Sequence, residues 1–264
     1  MTTGAVRSPS VPDAGMAPLP VASSRRPYTW PYRLATVFSI QFMVLTTAAM
    51  AFYPGGTNGD RTSRGYSFFR NFFSDLGMTV AHNRAPNTIS SSLFAIALAS
   101  IGVGLVAIML VLPQLFRCRR DLRVLSLAGS AVGVVSGLAY MGIALTPANR
   151  HLGWHMTFVQ VAFRSFLVVV LLYGVATWRH PDYPRRYAFG WFAFAAVLAG
   201  YVWLLVAGPS ARTAGGLLIQ AAGQKTIAYS SILCVWWQCR GALWLAERIR
   251  RSVNSSEARA TDPG

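Results

Sequence analysis

The sequence predicts an all-α, polytopic membrane protein: a six-helix transmembrane bundle with a short amphipathic interfacial helix in the first outer loop. Three observations carry this. Six apolar stretches, each near the ~20 residues that span a bilayer's hydrocarbon, run over about 34–53, 89–114, 124–145, 152–177, 188–207 and 220–239. Of 264 residues, 53% are hydrophobic and 12% charged, and that charged share is about half the value usual in soluble domains. Arginines fall in short runs between the apolar stretches, which is how charge sets topology.

Taken in order, residues 1–28 are Pro-, Ser- and Ala-rich without an apolar run and read as a disordered cytoplasmic tail. The membrane domain covers 29–250, and residues 251–264 read as a second disordered tail. Arg25, Arg26 and Arg33 precede span one. Arg117, Arg119, Arg120 and Arg123 follow span two, and Arg179, Arg185 and Arg186 follow span four. Arg240, Arg248, Arg250 and Arg251 follow span six. With six spans these share one side, so the expected location is a multi-pass protein of the cell membrane with both termini in the cytoplasm. The net charge of +16 is accounted for by this topological use, so nucleic acid is not an expected partner; membrane lipids are. Cys118, Cys234 and Cys239 have no metal-ligand spacing. Nothing in the sequence specifies an oligomeric state.

Span three carries Gly129, Gly133 and Gly137 on nearly one helix face, bordered by Ser130 and Ser136. Such a groove lets another backbone approach closely. Gly102 and Gly104 make span two a candidate partner.

The first outer loop, 54–88, opens with a Pro54-Gly55-Gly56 turn. On a helix over 66–76, Tyr66, Phe68, Phe69, Phe72, Phe73 and Leu76 fall on one half, and Ser67, Arg70, Asn71, Ser74 and Asp75 on the other. Gly77 stops it. The predicted helix rests in the interface as an anchor, or its Ser74 and Asp75 roof a polar site. Asn87 is the expected N-cap of span two.

Span four begins near His151 and His155, whose i, i+4 spacing can hold one metal ion. Asp75 and His82 are the nearest further donors. The competing reading has one histidine at the interface and the other hydrogen-bonded within the bundle. Arg164 sits near mid-bilayer, yet no Asp or Glu lies within any span. Its partner is then backbone carbonyls, polar side chains, Asp75, or an outside anion such as a lipid phosphate. Gln220, Gln224 and Lys225 open span six, and an Asp75–Lys225 pair would compete with a metal for the carboxylate.

Several of these residues carry a resemblance. Pro54-Gly55-Gly56, Phe73-Ser-Asp-Leu-Gly77, Asn87 before Phe94, Thr146-Pro147 leading to His151 and His155, and Gly223-Gln224-Lys225 resemble a bacterial six-span membrane family, domain of unknown function 998. That family is loosely similar to DRAM/Frag-like membrane proteins. The resemblance covers about 34–246 and implies an uncharacterised membrane protein without a stated activity. A more distant similarity, in architecture and polar residue types, is to ceramidase-like membrane hydrolases.

Three functions remain. The first is a non-enzymatic lipid-binding or scaffold-type protein needing no cofactor, with an outer polar layer of Asn71, Asn87, Gln224 and Lys225. The alternative is a metal-dependent, membrane-embedded lipid hydrolase. There Asp75, His151 and His155 would bind zinc, and Ser74 and Asp75 are the catalytic candidates. The second alternative is a small-solute transporter using Arg164.

Overall fold

The computed structural model describes residues 27–261, so most of the predicted tail 1–28, and residues 262–264, lie outside the described residues. Six long helices dominate: α1 Trp30–Ala51, α2 Thr88–Val111, α3 Arg120–Leu145, α4 Leu152–Arg179, α5 Arg185–Ala207 and α6 Ala214–Thr261. A 3-10 helix, Leu112–Phe116, extends α2. The first five, counting this extension, are long and apolar enough to cross a membrane. In α6, Gln220, Gln224, Lys225, Ser230, Ser231 and Gln238 dilute the apolar stretch. The described residues form no strand, only isolated bridges between Gly55 and Arg64 and between Val80 and Pro86.

Each helix packs on its neighbours in the chain, and α6 closes the ring on α1. Most connections are short, so neighbours run antiparallel. The predicted glycine face of α3 lies in the groove between α2 and α4. A Cβ on Gly102 would stand 2.7 Å from the Gly137 carbonyl oxygen, and one on Gly129 would stand 3.0 Å from the Tyr173 ring. The bordering serines tie helices together: Ser136 Oγ donates to the Ala162 carbonyl at 2.9 Å, and Ser130 Oγ contacts the Met109 carbonyl and the Tyr173 hydroxyl.

Two expectations change. The tail predicted as disordered from 251 is helical through Thr261. No glycine or proline interrupts the chain between Gly241 and Pro263, so nothing local ends the helix earlier. The helix predicted over 66–76 is instead a set of turns followed by the 3-10 helix Phe73–Gly77. Its polar side chains take the backbone N–H groups that a helix would use. Asn71 Oδ1 accepts from Ser67 N–H and Asp75 Oδ2 from Phe72 N–H, both at 2.9 Å, while Phe72 is extended at φ −68, ψ 156. Asn71 and Asp75, placed by periodicity on a solvated half, are 0% and 5% exposed.

At the end of the bundle away from this loop, His180 fastens α4 to the end of α2. Its Nε2 lies 3.1 Å from the Leu115 carbonyl oxygen and 3.3 Å from Cys118 Sγ. Asp182 N–H donates to Nδ1, so Nε2 carries the proton. Burial holds this imidazole below its ordinary pKa and pushes the Cys118 thiol up. Arg248 pairs with Asp182 at 3.1 Å, and Arg250 donates to the Pro27 carbonyl at 2.8 Å.

Candidate functional site

The 35-odd residues between α1 and α2 fold as a lid across one end of the ring. Two glycines start it. Gly55 and Gly56 have φ of +131 and +84, and a Cβ on Gly55 would stand 2.7 Å from the Ser63 carbonyl oxygen. Only glycine adopts that backbone there without strain. The returning chain then closes on the turn: Asn83 Nδ2 donates to the Pro54 carbonyl and Asn83 N–H to the Gly55 carbonyl.

Asn71 organises the lid interior. Its Nδ2 donates to the Gly56 carbonyl and to Asp75 Oδ2, each at 2.9 Å, and its carbonyl accepts from Lys225 Nζ at 2.5 Å. The Asp75–Lys225 salt bridge that would rival a metal for the carboxylate is absent among the described residues; Asn71 links the two groups instead. Asp75 has His82 beside it, with Nε2 at 3.3 Å from Oδ2, close enough to pair when the histidine is protonated. That contact lacks hydrogen-bond geometry, and His82 Nε2 is left buried without a hydrogen-bond partner. The Lys225 ammonium, 2% exposed as a residue, lies over the rings of Phe68, Tyr66 and Phe73 at 5.2, 5.3 and 5.9 Å. Cation–π attraction of this kind offsets part of its lost hydration. Burial first, and the Asp75 carboxylate second, push the Tyr66 hydroxyl well above its ordinary pKa.

The lid is tied down all round. Gln224 Oε1 accepts from Phe73 N–H at 2.6 Å. The Phe73 ring packs on Phe42 of α1, Phe94 of α2 and Tyr229 of α6. Thr79 N–H donates to Asn149 Oδ1, and Arg150 Nε donates to Thr79 Oγ1. Asn87 stands at the N-cap position of α2, yet its side chain caps nothing. Its Nδ2 donates to the Leu76 and Met78 carbonyls, so it satisfies the end of the 3-10 helix rather than the start of α2.

The two histidines of the predicted pair separate in role. His151 is exposed, and it precedes α4 without a side-chain cap bond. His155 is 4% exposed, with Nδ1 2.7 Å from the Thr146 carbonyl oxygen. A carbonyl only accepts, so Nδ1 carries the proton and Nε2 is an acceptor in the neutral ring. Asp75, His151 and His155 do not assemble into a zinc site: no group of three His, Cys, Asp or Glu able to hold a metal ion occurs among the described residues. Ser74 makes no hydrogen bond to either histidine.

What the sequence did not reveal is the space beneath the lid. A cavity of about 90 Å³ is lined at its lid end by Ser74, His155 and Gln224, and deeper by Phe94, Ile101 and Tyr140. A second void of about 50 Å³ shares Ile101, Tyr140, Ser231 and Ile232 with the first. A third of about 30 Å³ shares Leu105, Ile108, Phe166 and Val235 with the second. The three are stacked from the lid towards the arginine-rich end. Below the first, the surface facing the voids is almost wholly apolar: the Ser39 and Ser231 hydroxyls are already bonded to the Ala35 and Ile227 carbonyls, and Thr177 and Gln238 stand in the wall of the third. Periodicity marks which residues face inward but not where inward-facing side chains fail to meet, so this feature had no signal in the sequence.

Arg164 belongs to none of this. It is exposed on the outer face of α4 and has no hydrogen-bond or ion-pair partner among the described residues. Gln160, one turn nearer the lid, keeps its Oε1 buried without a partner and does not receive the guanidinium.

No family model, curated protein or solved structure matches this chain.

Proposed function

We propose that this chain is a six-span membrane protein of the cell membrane that binds a single-chain amphiphile, headgroup under the lid and tail along the bundle axis. α6 supplies the sixth crossing through its 214–239 part. The lid faces away from the cytoplasm, because Arg117, Arg119, Arg120, Arg123, Arg179, Arg185 and Arg186 all lie at the opposite end. This is the lipid-binding reading within the six-span architecture that the family resemblance implies.

The observation that carries it is the stack of three voids whose exposed polar surface is concentrated at the lid end. A headgroup of one polarity and a tail of the other match that gradient, although voids of about 90, 50 and 30 Å³ are smaller than an acyl chain, so the helices around them must part to admit it. His155 Nε2 is an acceptor, and no cation faces the cavity, since Lys225 is held by the Asn71 carbonyl and three rings. The headgroup that fits is therefore a neutral hydrogen-bond donor, a hydroxyl or amide, rather than a phosphate. An apolar axis also argues against a path for a polar solute, which would leave its hydration unreplaced. The hydrolytic reading has weaker support: Ser74 and His155 share the cavity, but a nucleophile and base need to be hydrogen-bonded to each other.

The test is photolabelling of the purified protein in vesicles with a photoreactive long-chain monoacylglycerol, compared with photoreactive phosphatidic acid. The monoacylglycerol should label peptides containing 94–101 and 159–166. Leu98→Trp, which fills the first cavity, should abolish labelling. His155→Leu should weaken it by about tenfold, the equivalent of one hydrogen bond at ~1.4 kcal/mol. Labelling that ignores both substitutions, or that favours the phosphate lipid, would contradict the proposal.

A further inference from the structure

Arg164 is the charge for which the lipid-binding reading has no use. We propose that the α4–α5 face around Arg164 docks a membrane-spanning helix of a different protein, one bearing an Asp or Glu at mid-bilayer depth.

The depth comes from the helix itself. Arg164 lies twelve residues from Leu152 and fifteen from Arg179, so it stands ~18 Å and ~22 Å from the two ends of α4 at 1.5 Å per residue. It is thus close to the centre of a hydrocarbon layer ~30 Å thick. An arginine side chain reaches about 7 Å when it snorkels, which leaves the guanidinium several ångströms short of the phosphates. A charge there is expensive unless it is paired or hydrated. Among the described residues nothing pairs it. No hydrogen bond or ion pair joins it to another described residue, and Asp75 is committed to Asn71 and the Phe72 N–H.

A second copy of the chain does not supply the counter-charge, because α1 to α5 contain no acidic residue at that depth and the acids of α6 lie beyond Leu245. The partner's carboxylate must come from another chain. The surface beside Arg164 suits such a helix. Phe163 meets Tyr201 edge-to-face at 4.8 Å between ring centroids, which sets residue 200 level with residue 164. At that level α5 exposes Ala196, Ala199 and Gly200 beside the larger Val197 and Trp203, and a Cβ at Gly200 would meet nothing within 4 Å, so the close approach is confined to the small residues. Small residues allow two backbones to come close, and a carboxylate on a one- or two-carbon stem needs that approach to reach the guanidinium.

The probe is a synthetic Leu/Ala transmembrane peptide with one central Asp, set against versions with central Leu and with Asp moved three turns towards one end. Binding to the full chain is read by energy transfer in phosphatidylcholine vesicles, with and without phosphatidylglycerol. The central-Asp peptide should bind about tenfold more tightly than either control, in line with intramembrane polar contacts. Arg164→Leu should remove the difference. Arg164→Glu should restore it for a peptide with central Lys. Equal binding of all three peptides to the unmodified protein overturns the proposal. So does a central-Asp preference that phosphatidylglycerol abolishes, because the arginine would then be serving lipid phosphate.

Discussion

Asn71 shows how one side chain can settle a local fold. Its amide and carbonyl groups reach Ser67, Gly56 and Asp75, and its backbone carbonyl holds Lys225. Asn71→Ala leaves the Ser67 N–H and the Gly56 carbonyl unmet and removes one donor from a buried carboxylate. Losses of this type sum to about 2–4 kcal/mol, so thermal unfolding in detergent should show a Tm several degrees lower. A Tm unchanged within a degree would mean that the lid is not held from within. The residue types of this site were legible in the sequence: Asn71, Asn87, Gln224 and Lys225, read there as one polar layer, lie with Asp75 at the lid end. Their pairings were not. Charge alone matches Asp75 with Lys225, whereas the fold interposes an amide and leaves the lysine to aromatic rings. Likewise, the i, i+4 histidines suggested a shared ligand, but His151 precedes the helix and only His155 turns inward.

At the scale of elements, apolar length located the first five helices well, because burial in lipid demands a continuous run of ~20 residues. The same signal is weak for α6, whose polar residues serve the lid and the helix contacts. It failed for 66–76, where a 3.6-residue pattern was present but side-chain-to-backbone bonds won. Helix contact is decided by the smallest residues. Gly102→Leu puts a branched side chain against the Gly137 carbonyl and Met141, and overpacking of that kind costs about 1–3 kcal/mol. Gly200→Leu faces open space. The first substitution should lower Tm by roughly 5 °C and the second should leave it unchanged, while weakening binding of the central-Asp peptide. Equal effects on Tm would show that the α2–α3 contact is not the tight one.

For the molecule as a whole, the proposed function joins the ring of six helices, the lid and the axial voids. The lid covers the polar mouth, and the arginine-rich end is fastened by His180, Arg248 and Arg250. This arrangement depends on α6 crossing the bilayer, so that the lid and the helical tail to Thr261 lie on opposite sides. Impermeant maleimide labelling of intact cells tests this most directly, in a background where Cys118, Cys234 and Cys239 are alanine. Arg61→Cys in the lid and Arg212→Cys between α5 and α6, both exposed sites, should label in intact cells. Ser256→Cys in the tail of α6 should label only after permeabilisation. Labelling of Ser256→Cys in intact cells together with Arg61→Cys, or of Arg61→Cys and Arg212→Cys from opposite sides, would contradict the six-span account.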